Sequence, residues 1–300
     1  MKGTGGMYKV LSIDGGGIRG IIPVRVMERL ENHRPGVVQE FDLFAGTSTG
    51  AVLAGGFAFG LEARFMRQMY QGFGEEVFAD SLWDDVRDLK YVLGADYGIE
   101  NLKSLLDRVI GETTLGQLSK KVLIAAFDLK DEKRDPPRWR PKFFHNFPDS
   151  NCDSGEKLVD VVIRSAAAPV YFPIYQGYVD GGVAAINPST CALAQAFHEG
   201  FLDVRLLSLG TGNNPRWLDV QDGNWGIAQW GLNLVNMVMD GGGEVADYQC
   251  RQILRDQYFR MQPQMPKPVG LDDWRATEEL IGIADAIDLE PLINWLDARL

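Results

Sequence analysis

An α/β fold with a central, mostly parallel sheet is predicted for this chain by three observations. A short apolar run, residues 8–13, leads into the glycine-rich stretch Asp14-Gly15-Gly16-Gly17-Ile18-Arg19-Gly20 and then into a helical pattern. A second apolar run ends in Gly46-Thr47-Ser48-Thr49-Gly50 and again passes into small, helix-forming residues. Further strand-like runs at 121–129 and 203–209 alternate with helical stretches. Such alternation places parallel strands side by side, with helices on both faces of the sheet.

Each element has its own signal. After the first glycine loop, Ile21, Val24, Met27 and Leu30 recur at helical spacing, with Arg25, Glu28, Arg29 and Glu31 on the other side. Pro23 suits a first helical turn, where its missing N–H costs nothing. Arg34-Pro35-Gly36 ends that helix. Ala63, Phe65, Met66 and Met69 predict a second helix. Trp83, Val86, Leu89 and Val92 predict another near 81–93, and Leu102 to Ile110 a further one.

The run Lys121 to Leu129 has the composition of a buried central strand. A loop over 130–142 follows, rich in Lys and Arg, and residues 142–147 return as a strand. Glu156 to Ala168 is helical up to Pro169, in a segment so rich in small residues that something must pack closely there. Gly177-Tyr178-Val179-Asp180-Gly181-Gly182 is a short strand ending in an acid and two glycines. Asn187-Pro188-Ser189 opens the next helix, and Gly210-Thr211-Gly212 closes the strand before it. Residues 213–300 are mainly helical, with a helix expected to break at Asp240-Gly241-Gly242-Gly243-Glu244. Tyr258 to Met261 is expected as an edge strand, and Ala276 to Leu300 as an amphipathic segment docked on the body. No internal domain boundary is evident, so 1–300 is expected to be one domain.

Composition narrows the function. The chain has 300 residues, 45% of them hydrophobic, and a net charge of −11. That charge argues against nucleic acid and against docking on anionic lipid by bulk charge. Cys152, Cys191 and Cys250 are odd in number and widely spaced, which disfavours a disulfide scaffold or a zinc site. The N-terminal residues lack the apolar core of a signal peptide, and Ala51 to Leu61 is about half a membrane span. A cytoplasmic protein is expected, at most peripheral to a membrane.

The chemistry-bearing residues lie in the two glycine motifs. Gly46-Thr47-Ser48-Thr49-Gly50 is G-x-S-x-G at a strand-to-helix turn. Such a turn projects the serine hydroxyl above the sheet, because the flanking glycines tolerate the tight backbone. Gly15-x-Gly17-x-x-Gly20 also has the spacing of a dinucleotide fingerprint. Against that, Asp42 precedes the next strand rather than following it. The same loop at a helix N-terminus can instead cradle an oxyanion with its amides.

A serine nucleophile needs a base. His33, His145 and His198 are the three histidines. Ser48, Asp180, His198 would repeat the chain order of α/β-hydrolases, although His198-Glu199-Gly200 has the look of a helix C-terminus. Alternatively Asp180 itself accepts the proton, which requires a desolvated carboxylate.

Taken together, Gly15-Gly16-Gly17-Ile18-Arg19-Gly20, Gly46-Thr47-Ser48-Thr49-Gly50 and Asp180-Gly181-Gly182 resemble the patatin-like phospholipases, of bacterial type, over about residues 8–212. The small-residue segment ending in Pro169 and the Asn187-Pro188 step are similar too. The resemblance implies a three-layer α/β/α sandwich with a helical C-terminal segment over 213–300, and a Ser-Asp dyad that uses neither histidine nor metal nor cofactor. It implies Ser48 as nucleophile and Asp180 as general base. Gly16, Gly17 and Arg19 would form the oxyanion loop, shaped by Gly15, with Gly16 and Gly17 as donors and Arg19 fixing the loop or favouring an anionic headgroup; Gly20, Gly46, Gly50, Gly181 and Gly182 would support the motifs. The implied reaction is hydrolysis of phospholipid or related glycerolipid esters at a membrane or micelle surface. A nonspecific esterase or thioesterase with the same dyad, and a nucleotide-sensing module using the glycine loop, are the alternatives.

Overall fold

The computed structural model describes residues 6–78, 99–131, 135–215, 217 and 223–300. The helix expected near 81–93 lies outside the described residues. Seven strands form one sheet: β1 (Tyr8–Ile13), β2 (Leu43–Thr47), β3 (Lys121–Asp131), β4 (Arg138–His145), β5 (Tyr178–Asp180), β6 (Val204–Leu209) and β7 (Tyr258–Met261). Their order is β4-β3-β2-β1-β6-β7, with β5 also paired to β3. The pairings β3-β2, β2-β1, β1-β6 and β6-β7 are parallel, whereas β4 and β5 run antiparallel to β3.

Side chains alternate between the two faces of the sheet, as strand geometry requires. Leu11, Ile13, Phe44, Val122, Ile124 and Leu207 enter one core. Val10, Leu43, Ala45, Leu123, Val204 and Leu206 enter the other. Because both faces are buried, these strands are apolar nearly throughout, which is why they are conspicuous in the sequence.

The first core is covered by α1 (Ile21–His33), α2 (Thr49–Phe59) and α5 (Leu158–Ala166). Around them lie α3 (Ala63–Phe78) and α4 (Glu100–Ile110). A short α6 (Gly182–Ala185) follows β5. The second core is covered by α7 (Ser189–His198) and the end of α8 (Ile227–Leu254), which contributes Cys250 and Leu254. The sheet between two helical layers agrees with the expected α/β/α arrangement.

The C-terminal part closes the structure. β7 extends the sheet as the edge strand expected from sequence. α9 (Thr277–Ala286) and α10 (Glu290–Arg299) dock on the body through Leu280, Ala284, Leu292 and Leu296. Arg25 Nε meets Asp285 at 2.7 Å, and Arg29 donates to the Ala284 and Ile287 carbonyls at 2.6 and 2.9 Å.

One expectation is corrected. Helix α8 does not break at 240–244; its non-helical residue is Gly231 (φ 9°, ψ −112°). Glycine weakens a helix by about 1 kcal/mol relative to alanine, but tertiary contact outweighs this here. A Cβ at Gly243 would already lie 3.2 Å from Ile186, and Asn187 Nδ2 donates to the Gly243 carbonyl at 3.4 Å. The small residues let α8 lie directly on the segment that follows Asp180.

Candidate active site

Ser48 occupies the turn between β2 and α2 with φ 56° and ψ −123°, a backbone state that non-glycine residues rarely adopt. The turn is tight because its glycines touch backbone. A Cβ on Gly46 would lie 2.1 Å from the Gly50 carbonyl oxygen, and one on Gly50 would lie 2.1 Å from that of Ile13. Ser165 of α5 fixes the turn from below. The Ser48 amide donates to Ser165 Oγ at 2.8 Å, and Ser165 Oγ donates to the Ala125 carbonyl at 2.5 Å.

Asp180 ends β5 and is 2% exposed. Its amide donates to the Ala167 carbonyl at 2.9 Å, and the Gly181 amide to that of Ser165 at 3.2 Å. Gly181 lies flat on β3, since a Cβ there would sit 2.2 Å from the Ala125 oxygen. The Gly182 amide donates to Asp180 Oδ1 at 2.6 Å. Burial pushes the Asp180 carboxyl up to about 6, and hydrogen bonds from the Ser48 side chain and the Gly182 amide partly offset that rise. Near neutral pH this is an ionised carboxylate with raised basicity, on the cavity that Ser48 also lines.

The glycine loop leaves β1 and borders the same space. The Gly15 amide donates to the Ile186 carbonyl at 2.9 Å and the Ile18 amide to that of Leu271 at 2.8 Å. Among the described residues, no protein acceptor takes the Gly16 or Gly17 amide, and both residues line the cavity with Ser48. Gly17 has φ +58°, and a Cβ on it would lie 2.1 Å from the Leu271 oxygen. A Cβ on Gly16 would strike Thr211 Oγ1 at 2.2 Å, and that hydroxyl donates to the Gly15 carbonyl at 2.8 Å.

Arg19 does not border the cavity. Its amide donates to the Gly16 carbonyl at 3.2 Å, and its guanidinium donates to the Gly16 and Gly212 carbonyls at 3.3 and 3.0 Å. It braces the loop instead. Gly20 packs against Thr49, where a Cβ would meet Thr49 Oγ1 at 2.2 Å.

The cavity is about 120 Å³. Besides Ser48, Asp180, Gly16 and Gly17 it is lined by Ala166, Pro169, Phe172, Val183, Met239 and Leu271 among others, so most of its wall is apolar. None of the three histidines lines it. His33 is exposed at the end of α1. His145 is buried at the end of β4, and that burial holds its imidazole below the usual histidine range. His198 ends α7, with Nε2 3.9 Å from Asp149. Asp149, His198 and Glu199 could together hold a cation, but they do not border the cavity.

The patatin-like phospholipase family pattern matches residues 11–192, which span every motif described above. The chain belongs to the patatin-like phospholipase family. Relatives cover nearly its whole length. CotR, a sporulation protein of Bacillus subtilis, is 28% identical over 97% of both chains. A cGAMP-activated phospholipase of Pseudomonas aeruginosa is 31% identical over 85% of this chain and 78% of its own. A patatin-like protein of Arabidopsis thaliana is 25% identical over 97% of this chain and 82% of its own. Membership implies a hydrolase acting on lipid. No helix among the described residues is long and apolar enough to cross a membrane.

Sequence reasoning did not assign roles to Ser165, Thr211, Asn236 or Leu271. Ser165 had a partial signal in the small-residue run 164–169. Leu271 had none, because it reaches the cavity from far along the chain.

Proposed function

We propose that this chain is a phospholipase A-like lipid acyl hydrolase, cleaving carboxylic esters of phospholipids or related glycerolipids through an acyl-Ser48 intermediate on a Ser48–Asp180 dyad. The observation that carries this is the convergence of Ser48 and the buried, more basic Asp180 carboxylate on one cavity, beside the Gly16 and Gly17 amides, which no acceptor among the described residues takes. Asp180 takes the Ser48 proton as Oγ attacks the ester carbonyl. The Gly16 and Gly17 amides receive the oxyanion. Collapse expels the alcohol, which leaves with the proton from Asp180. Asp180 then takes a proton from water as the water oxygen attacks the acyl-serine, and returns that proton to Ser48 Oγ as the fatty acid is released.

The same reading treats residues 1–300 as one acyl-hydrolase domain, with a core over about 8–212. Asn236, Met239 and Leu271, from the helical C-terminal part, line the cavity and support it. It also places the protein in the cytoplasm, meeting lipid at a membrane or micelle surface, and needs no metal or cofactor. A short-chain esterase is favoured by one observation, a cavity smaller than the ~300 Å³ lower end of common small-molecule sites.

Mass spectrometry of a mixed phospholipid extract separates these readings. The wild type is expected to release free fatty acid and lysophospholipid, and Ser48→Ala neither. Release of short acyl chains alone would favour the esterase. Intact lipid after treatment with wild type, or equal release by Ser48→Ala, would refute the proposal.

A further inference from the structure

Helix α8 has two apolar faces. Met239 lines the cavity that holds Ser48, and Gly243, Ala246 and Cys250, on the same side, are buried. At about 100° per residue, Leu234, Met237, Val238, Val245 and Tyr248 fall on the opposite side with Gly241 between them. Each of these five side chains is 50 to 65% exposed. Trp230, just before the kink, is also exposed. A helix apolar on both sides is the pattern of a buried element, yet the outer face of this one is open to solvent.

The charges around that face are acidic. Asp240, Glu244 and Asp247 lie along one flank, where Arg251 pairs with Asp247 at 2.9 Å. The whole chain carries −11. A basic or polyanionic partner surface therefore differs sharply in fit. An anionic lipid layer is repelled, whereas a zwitterionic layer presents its ammonium groups outermost and complements the acidic flank.

We infer that the outer face of α8 seats the protein on a zwitterionic lipid surface, directly over the cavity that contains Ser48. The inference rests on the lipid-hydrolase reading for its choice of occupant. The helix then has lipid on one side and the reacting serine on the other. Its apolar side chains enter the headgroup boundary, with Trp230 and Tyr248 as amphipathic anchors. Because the acidic chain repels an anionic layer, its dependence on net lipid charge is opposite in sign to that of basic interfacial helices.

The test reads binding without turnover. Ser48→Ala protein is sedimented with phosphatidylcholine vesicles, and with vesicles in which a third of that lipid is replaced by phosphatidylglycerol. Binding to phosphatidylcholine is expected. The anionic vesicles should bind less, and added salt should restore them by screening the repulsion. Adding Leu234→Asp and Met237→Asp should weaken binding by about tenfold or more. In the otherwise wild-type chain, that pair should leave hydrolysis of a soluble short-chain ester unchanged and slow only vesicle hydrolysis.

Preference for anionic vesicles, or unchanged binding by the double variant, would overturn the inference. So would a concentration-dependent dimer in sedimentation that the double variant abolishes, because a second copy would then own the face. If the wild type binds vesicles but hydrolyses no ester, the enzymatic reading fails and the docking face stands. If it hydrolyses dispersed lipid yet never binds vesicles, the reverse holds.

Discussion

Thr47 and Asp180 occupy consecutive positions along one edge of β3. Thr47 of β2 pairs with Ala125, and Asp180 of β5 pairs with Ala126. β2 runs parallel to β3 and ends there, while β5 arrives antiparallel from the other direction. The serine that follows Thr47 and the carboxylate of Asp180 therefore converge where the two strands meet head to head. The sheet register, rather than a loop, sets their separation.

Asp180 gives the first prediction. If its carboxylate is the base, kcat/KM for a soluble ester rises with pH through about 6 and levels off above it. Asp180→Asn should lower kcat by about 10²–10⁴. The stability effect has a definite sign. The folded state raises this pKa from 3.8 to about 6, so it holds the proton more tightly than the unfolded chain. The stabilisation is full below about pH 4 and is lost as pH rises through about 6, a change of about 3 kcal/mol. Asp180→Asn should therefore raise the melting temperature above about pH 7 and change it little below about pH 4. Calorimetry across that range checks both halves.

Ser165 gives the second. It takes the elbow amide of Ser48 and gives its own proton to the Ala125 carbonyl. Ser165→Ala leaves both backbone groups buried without that partner, which costs about 1–3 kcal/mol. Urea denaturation should register this, and kcat should fall because the turn that aims Ser48 loosens.

Much of this architecture was legible from residues. The parallel strands declared themselves as unbroken apolar runs because both of their faces are buried. The elbow and the glycine loop were legible because close backbone approach admits only glycine at Gly46 and Gly50, and the Thr211 side chain leaves no room for a Cβ at Gly16. The expected break of α8 at 240–244 was wrong because packing of Gly243 on Ile186 outweighs propensity. The β3 register that joins Ser48 to Asp180, and the reach of Leu271 into the cavity, are tertiary relations with no local signal.

Arg260 supplies the third prediction, and its role is another such relation. From edge strand β7 it donates to both Asp14 oxygens, at 2.9 and 2.5 Å, and to Ser208 Oγ at 2.8 Å. Both members of the pair are buried, and Asp14 begins the glycine loop. Arg260→Met strands the Asp14 carboxylate and should cost about 3–5 kcal/mol. Adding Asp14→Asn should recover much of that loss, and a double-mutant cycle by chemical denaturation measures the coupling.

Gly16 supplies the fourth. Its substitution by Ala drives a methyl group into Thr211, whose hydroxyl is held by the Gly15 carbonyl. The loop must shift, and the two amides move away from the oxyanion. Gly16→Ala is expected to lower kcat by about 10²–10³ with KM little changed, as loss of an oxyanion donor does. Steady-state kinetics on a soluble ester decides this, and a parallel fall in substrate affinity alone would point to a blocked cavity instead.

The most direct test of the proposed dyad is covalent capture of the nucleophile with a fluorophosphonate probe, followed by peptide mass spectrometry. The predicted result is one adduct, on Ser48, absent from Ser48→Ala and formed far more slowly by Asp180→Asn. An adduct on another residue, or labelling undiminished in folded Ser48→Ala, would contradict it.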